Sequence, residues 1–278
     1  MMLFKRDKLF CEINPTCYAI SMQKEVCKRH IKNFLYKGKI AKTHQQEQLP
    51  VLISEYSCNL IKRAPGIDLT HQKNKAVNIE LACNKINGII IHPGEEFSFW
   101  QTVGKITKRK GYKEGRVIIA NKLTAGIGGG LCNLSNAIHL LVLHSPLEVV
   151  EFHHHSDALG PDEGKRVPFS AGTSVSYNNV DYKFKNTSSQ DVQLCVWCKD
   201  EKLYAQLRCE EEFPFTFDII EEDHHFKKEN DKFYRNSKIY KRTFDRENGE
   251  ILEKELVLDN HSKVMFDYEL IPKELIRK

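Results

Sequence analysis

Long hydrophobic runs are missing from this chain. Apolar stretches such as Gly88–Ile91 and Leu140–Leu143 stop far short of the ~20 residues that a bilayer-spanning helix requires. Glycine (15) and proline (9) are sparse, and aromatics reach 10%, so collagen-like, low-complexity and disordered classes are excluded. No secretion signal is visible either. The opening Met-Met-Leu-Phe-Lys-Arg-Asp-Lys-Leu-Phe-Cys-Glu breaks with charge every place where an apolar region of roughly 7–15 residues would lie, so the chain is expected to stay in the cytoplasm. The nine cysteines are odd in number and scattered, without the dense spacing of a disulfide scaffold. The default reading is small buried hydrophobes kept reduced. Strong charge of one sign is also absent: the net charge is +5 and the pI about 8.6. No aromatic-interleaved signature accompanies the lysines, so no nucleic-acid partner is expected.

What the chain does have is the length, 278 residues, to bury a sizeable core. Residues 1–50 read as an N-terminal helical appendage, with a helix around Met22–Tyr36. Residues 51–210 read as the core and 211–278 as a charged, β-rich extension. The spacing predicts an amphipathic helix over Ala76–Ile86 and a strand at Ile89–Ile91. Phe97–Trp100 reads as strand-like, and Gly111–Ala120 as a strand. Thr124–Gly130 reads as a glycine-rich loop before a buried helix over Leu131–His144. Leu147–Phe152 reads as a strand and Ser174–Lys185 as a strand pair. Two hairpins are expected, across Lys199-Asp200-Glu201 and across Arg246–Gly249. The fold class is α+β: a mixed or antiparallel β-rich core around a buried central helix that starts at a glycine-rich loop.

That loop is the sharpest chemical feature. Gly128, Gly129 and Gly130 strip side chains from the approach to a helix, and Leu131, Cys132 and Asn133 open it. Unsatisfied amides and the positive end of the helix dipole favour an anion there, which would lower a thiol's pKa and could stabilise an oxyanion. Packing, catalysis and phosphate binding all remain open on the motif alone, though no Lys-Ser/Thr closes the run as a Walker loop requires. A thiolate needs a base, and Glu151-Phe152-His153-His154-His155-Ser156 follows a strand. Cys195-Val196-Trp197-Cys198 has half of a zinc-site spacing. It falls within a strand that turns the two thiols to opposite faces, so no metal and no cofactor are expected.

Four stretches, in order across about residues 50–200, resemble the VanW family. They are Pro93-Gly94-Glu95-Glu96-Phe97-Ser98-Phe99 (P-G-x-x-F-S-F), Gly128–Cys132 (G-G-G-hydrophobic-C), Glu151…His155-Ser156 (E-R-x-x-H-S) and Val180-Asp181-Tyr182-Lys183-Phe184-Lys185-Asn186 (D-hydrophobic-K-F-K-N). The resemblance is to the short, stand-alone branch. It implies L,D-transpeptidase-like chemistry on peptidoglycan stem peptides or their precursors, with Cys132 as nucleophile and His155 as general base. The amides following Gly129 and Gly130 would help to form the oxyanion hole. His153 and Asp181 join the catalytic group, and Phe97, Phe99, Trp100, Ser135 and Glu151 are assigned to substrate. The chain departs from the family pattern in three places: Asn133 replaces glutamine, Phe152 replaces arginine, and Gly172 replaces an aspartate. Asp181 or Glu151 would then have to orient the base. The competing reading is an inactive module that recognises cell-wall peptides or a protein partner.

Overall fold

The computed structural model describes residues 9–63, 68–119, 122–154, 157–158, 160–161, 172–177 and 179–277. Four α-helices are described: α1 (Pro15–Leu35), α2 (Leu69–Ile86), α3 (Phe99–Val103) and α4 (Leu131–Leu143). The first strands are β1 (Thr43–His44), β2 (Val51–Asn59), β3 (Ile89–Ile91), β4 (Glu96–Ser98), β5 (Glu114–Ile119), β6 (Lys122–Ile127), β7 (Glu148–Glu151) and β8 (Asp157–Ala158). They are followed by β9 (Lys183–Lys185), β10 (Val192–Lys199), β11 (Lys202–Cys209), β12 (Phe215–Glu229), β13 (Lys232–Asp245), β14 (Ile251–Val264) and β15 (Ile276–Arg277). The fold is α+β with largely antiparallel sheets.

The core sheet runs β1-β3-β10-β11-β2, antiparallel throughout. Helices α2 and α4 pack on it and on each other. Ile79, Ala82 and Ile86 of α2 and Leu134, Ile138 and Leu141 of α4 meet Leu194, Val196, Leu203, Ala205 and Leu207 of the sheet in one apolar cluster. The β10–β11 turn places Asp200 (φ 49°) and Glu201 (φ 58°) in the left-handed region, the backbone that a two-residue antiparallel turn requires. A small sheet, β4-β9-β7, and the β5–β6 hairpin flank the core. A second five-stranded sheet, β15-β12-β13-β14-β8, is built on the long strands β12 to β14. It is tied to the core by β8 pairing with β14, by Ile239 against Leu140 and Leu143, and by Lys241 Nζ donating to the Ser145 carbonyl at 2.6 Å.

Several elements differ from the sequence expectation, each for a local reason. Helix α1 begins at Pro15, seven residues before Met22, because the Asn14 side chain accepts from Cys17 N–H at 2.8 Å and proline suits a helix's first turn. Asp68 starts α2 early by accepting from the Thr70 and His71 amides. Phe99–Val103 is helix rather than strand, since Ser98 caps it through Gln101 N–H at 3.3 Å. Thr124–Ile127, the first part of the segment expected as loop, belong to β6, which pairs with β5 from Glu114↔Ile127 to Ile119↔Lys122. Among the described residues of the strand pair expected over Ser174–Lys185, only Lys183–Lys185 is a strand, and Ser176 and Val180 form an isolated bridge.

Candidate functional site

Gly128–Gly130 make the turn from β6 into α4, and their smallness is used against protein backbone. A Cβ on Gly129 would lie 2.3 Å from the Gly115 carbonyl carbon of β5. Gly130, the cap of α4, has φ 99°, a conformation that glycine adopts without steric cost. The Gly128 amide donates to the Lys113 carbonyl at 3.0 Å, and the Gly129 amide to the Gly126 carbonyl at 3.3 Å. Those two N–H groups are therefore committed. Of the first-turn amides of α4 that follow, that of Asn133 donates to the Gly130 carbonyl at 2.9 Å and that of Cys132 to its own sulfur. Asn78 of α2, fully buried, fastens the turn: its Nδ2 donates to the Gly129 and Lys113 carbonyls at 2.9 and 3.0 Å.

Every residue of α4 is buried except Cys132 and Asn133. Cys132 is half-buried as a residue, with its sulfur surrounded by protein. Val175 N–H donates to its Sγ at 3.5 Å, and the Val175 carbonyl lies 3.6 Å from the thiol. Burial pushes the thiol pKa up and outweighs the opposing hydrogen bonds from the Val175 and Cys132 amides. This reverses the lowering expected from a helix N-terminus. Desolvation of the thiolate is the largest cause. Asn133 turns away from this thiol and accepts from Cys58 Sγ of β2 at 3.6 Å.

The segment carrying Gly172 does reach the thiol's neighbourhood. The Gly172 and Thr173 amides donate to Asn136 Oδ1, both at 3.2 Å, and Val175 follows against Cys132. The Ser174 amide donates to the His153 carbonyl at 2.7 Å, and His154 bridges Thr173. Residues 128–136, 151–154 and 172–175 therefore converge although they are distant in sequence. The His153 ring is exposed and hydrogen-bonded through Nε2 to Glu151 at 3.1 Å. His155 lies outside the described residues.

The other anticipated site residues have structural partners. Asp181 is buried, and its carboxylate accepts from Ser98 Oγ at 2.6 Å, the Trp100 amide at 3.0 Å and the Tyr182 amide at 2.9 Å. It holds the start of α3, and burial pushes its pKa up. Phe97 and Phe99 are fully buried and Trp100 nearly so. They belong to the apolar core, with β4 paired to β9 and Trp100 against Tyr177. Ser135 is fully buried within α4. Glu151 is held by a residue from far upstream. Arg29 of α1 donates to both of its oxygens, one bond measuring 2.8 Å, and also to the Asn179 carbonyl at 3.1 Å. Burial alone would raise the Glu151 pKa, but the Arg29 hydrogen bond and charge, with His153 and the Asp181 amide, hold it at about 2.

Sequence reasoning missed Arg29, Asn78, Asn136 and His139. Each is a polar residue on a helix whose partner is remote, and only the helical spacing of Cys132, Asn136 and His139 along one face could have hinted at a shared stripe. His139 is buried, hydrogen-bonded with the Tyr182 hydroxyl at 3.1 Å and stacked on Phe152 at 4.3 Å between ring centroids. Cys195 and Cys198 point to opposite faces of β10. Among the described residues no group of three or more His, Cys, Asp or Glu is arranged to hold a metal ion.

These features define an α+β protein with a thiol in the first turn of a glycine-capped buried helix, bracketed by a histidine-bearing segment and an extended strap. The chain carries a VanW family domain: the family model described as "VanW like protein" matches residues 74–208. It is 29% identical over 226 residues to the Vancomycin B-type resistance protein VanW of Enterococcus faecalis (strain ATCC 700802 / V583), covering 81% of this chain and 82% of that one. It is also 32% identical over 120 residues to the uncharacterized protein YoaR of Bacillus subtilis (strain 168), covering 43% of this chain and 38% of that one. No solved structure matches the chain.

Proposed function

We propose that this protein is a cell-wall-associated member of the VanW family that uses Cys132 as a nucleophile on peptidoglycan-type peptides. The family domain and the name of the Enterococcus relative support the cell-wall role. The chemistry rests on one observation: a cysteine in the first turn of α4 where residues 128–136, 151–154 and 172–175 meet. In the proposed reaction the Cys132 thiol gives its proton to a histidine of the 153–155 run, and its sulfur attacks a peptide carbonyl. A thioester forms as the C–N bond breaks, and the histidine returns the proton to the leaving amine. An incoming amine, or water, then attacks the thioester and restores the thiol. The amides that follow Gly129 and Gly130, those of Gly130 and Leu131, serve the developing oxyanion in this scheme.

A second reading, recognition of such peptides without covalent chemistry, is favoured by the buried, upward-shifted thiol. Intact-mass measurement after incubation with a carbapenem separates the two. The nucleophile reading expects one acyl adduct on the native chain and none on Cys132→Ala. An adduct on Cys132→Ala would sink the assignment of that thiol. Stem-peptide binding that is equal in native protein and Cys132→Ala, with no adduct in either, would establish the binding module.

A further inference from the structure

Helix α1 carries an apolar stripe on its outward face. The one residue it fully buries is Arg29, committed to Glu151 and the Asn179 carbonyl. Tyr18, Met22 and Val26 are half-buried on the same face as Arg29, but a second set of large apolar side chains faces solvent: Phe34 is 88% exposed, Leu35 67%, Ile31 60% and Ile20 54%. At 100° per residue Ile20, Cys27, Ile31 and Phe34 fall on one stripe along the face opposite Arg29, with Leu35 on its border. Lys24, Lys28 and Lys32, spaced by four, form a parallel row beside that stripe, and all three are exposed. The positive charge is concentrated here. Residues 15–42 carry seven lysines and arginines against the single acid Glu25, more than the whole chain's net +5. A helix docked by a buried ion pair, with its apolar stripe outward and a lysine row alongside, has the pattern of an interfacial helix. Its charges exclude a spanning role, and no helix among the described residues is long and apolar enough to cross a membrane.

We infer that the outward face of α1 docks on an anionic phospholipid surface, with Ile20, Ile31, Phe34 and Leu35 entering the headgroup–acyl boundary and Lys24, Lys28 and Lys32 meeting the lipid phosphates. The inference is independent of the thiol reading, because neither its residues nor its assay involve Cys132.

The test is co-sedimentation of the full chain with phosphatidylcholine vesicles and with vesicles that also contain phosphatidylglycerol. Binding is expected only to the anionic vesicles and is expected to weaken as salt rises. Replacing Lys24, Lys28 and Lys32 together by glutamine should weaken it roughly a hundredfold, about fivefold for each charge. Ile31→Ser with Phe34→Ser should weaken it on the order of tenfold or more. All five side chains are exposed, so these variants should keep the native thermal midpoint. If the double variant unfolds, Phe34→Ser alone provides the reading. No binding to anionic vesicles would overturn the inference, as would binding that survives both sets of substitutions. So would self-association that Phe34→Ser abolishes without any vesicle binding, since it would give the face to a second copy of the chain.

Discussion

His139 is enclosed two turns along α4 from Cys132, and burial lowers its pKa from the ordinary 6.5 to about 3. The folded protein therefore holds it neutral, while the unfolded chain takes up a proton once the pH drops below about 6.5. The resulting stability is present above that pH and is lost as the pH falls toward 3. Urea midpoints measured from pH 7 to pH 4 should fall steeply for the native chain, by a contribution of about 3 kcal/mol at pH 4. In His139→Gln that dependence should flatten, at the cost of lower stability at pH 7 from the lost ring stacking and Tyr182 bond. An unchanged acid slope in the variant would refute this role for His139. The Cys132 thiol obeys the same physics with the opposite sign: burial favours its neutral form, which here is protonated.

At the scale of elements, α1 and the glycine turn are positioned by polar groups. Arg29 joins the first helix to β7 across 122 residues of sequence, and breaking it would leave Glu151 partly buried without its cation. Arg29→Met should destabilise the chain by about 2–4 kcal/mol. It should also make α1 exchange its amide hydrogens faster, while the amides of α4 stay protected. Equal loss of protection in both helices would show that Arg29 holds more than its own helix. Element existence was largely readable from the sequence. Three consecutive glycines before an apolar run announced α4, and two alternating runs joined across Asp200-Glu201 announced the β10–β11 hairpin. Phe99–Val103 escaped because aromatic content resembles a strand, whereas the capping by Ser98 and the remote Asp181 carboxylate decides for helix. The early start of α1 at Asn14-Pro15 was written in capping chemistry rather than in apolar periodicity, so a search for periodicity began too late.

In the whole molecule, two five-stranded sheets share α4 as a common neighbour, one through its apolar length and the other through its last turn. Ile239 of β13 is nearly fully buried against Leu140 and Leu143. Ile239→Ala should cost about 2–4 kcal/mol, read as a lower urea midpoint. Because β8 also pairs with β14, both sheets should still unfold in one transition followed by near- and far-ultraviolet circular dichroism. Two separated transitions would mean that the C-terminal sheet is only loosely coupled to the rest.

By itself the sequence determined the α+β class, the buried helix behind the glycine turn, the thiol at its start and the family resemblance. These depend on spacing, turn chemistry and motif order, all of which are local along the chain. Only the tertiary structure decided what the polar residues do there. Asp181 holds the start of α3, Phe97 and Phe99 belong to the core, Arg29 neutralises Glu151, and the Cys132 sulfur is enclosed by protein beside Val175. The reason is physical: desolvation, ion pairing and hydrogen-bond satisfaction are set by which distant atoms fill the space around a group, and a residue's neighbours in sequence do not specify its neighbours in space.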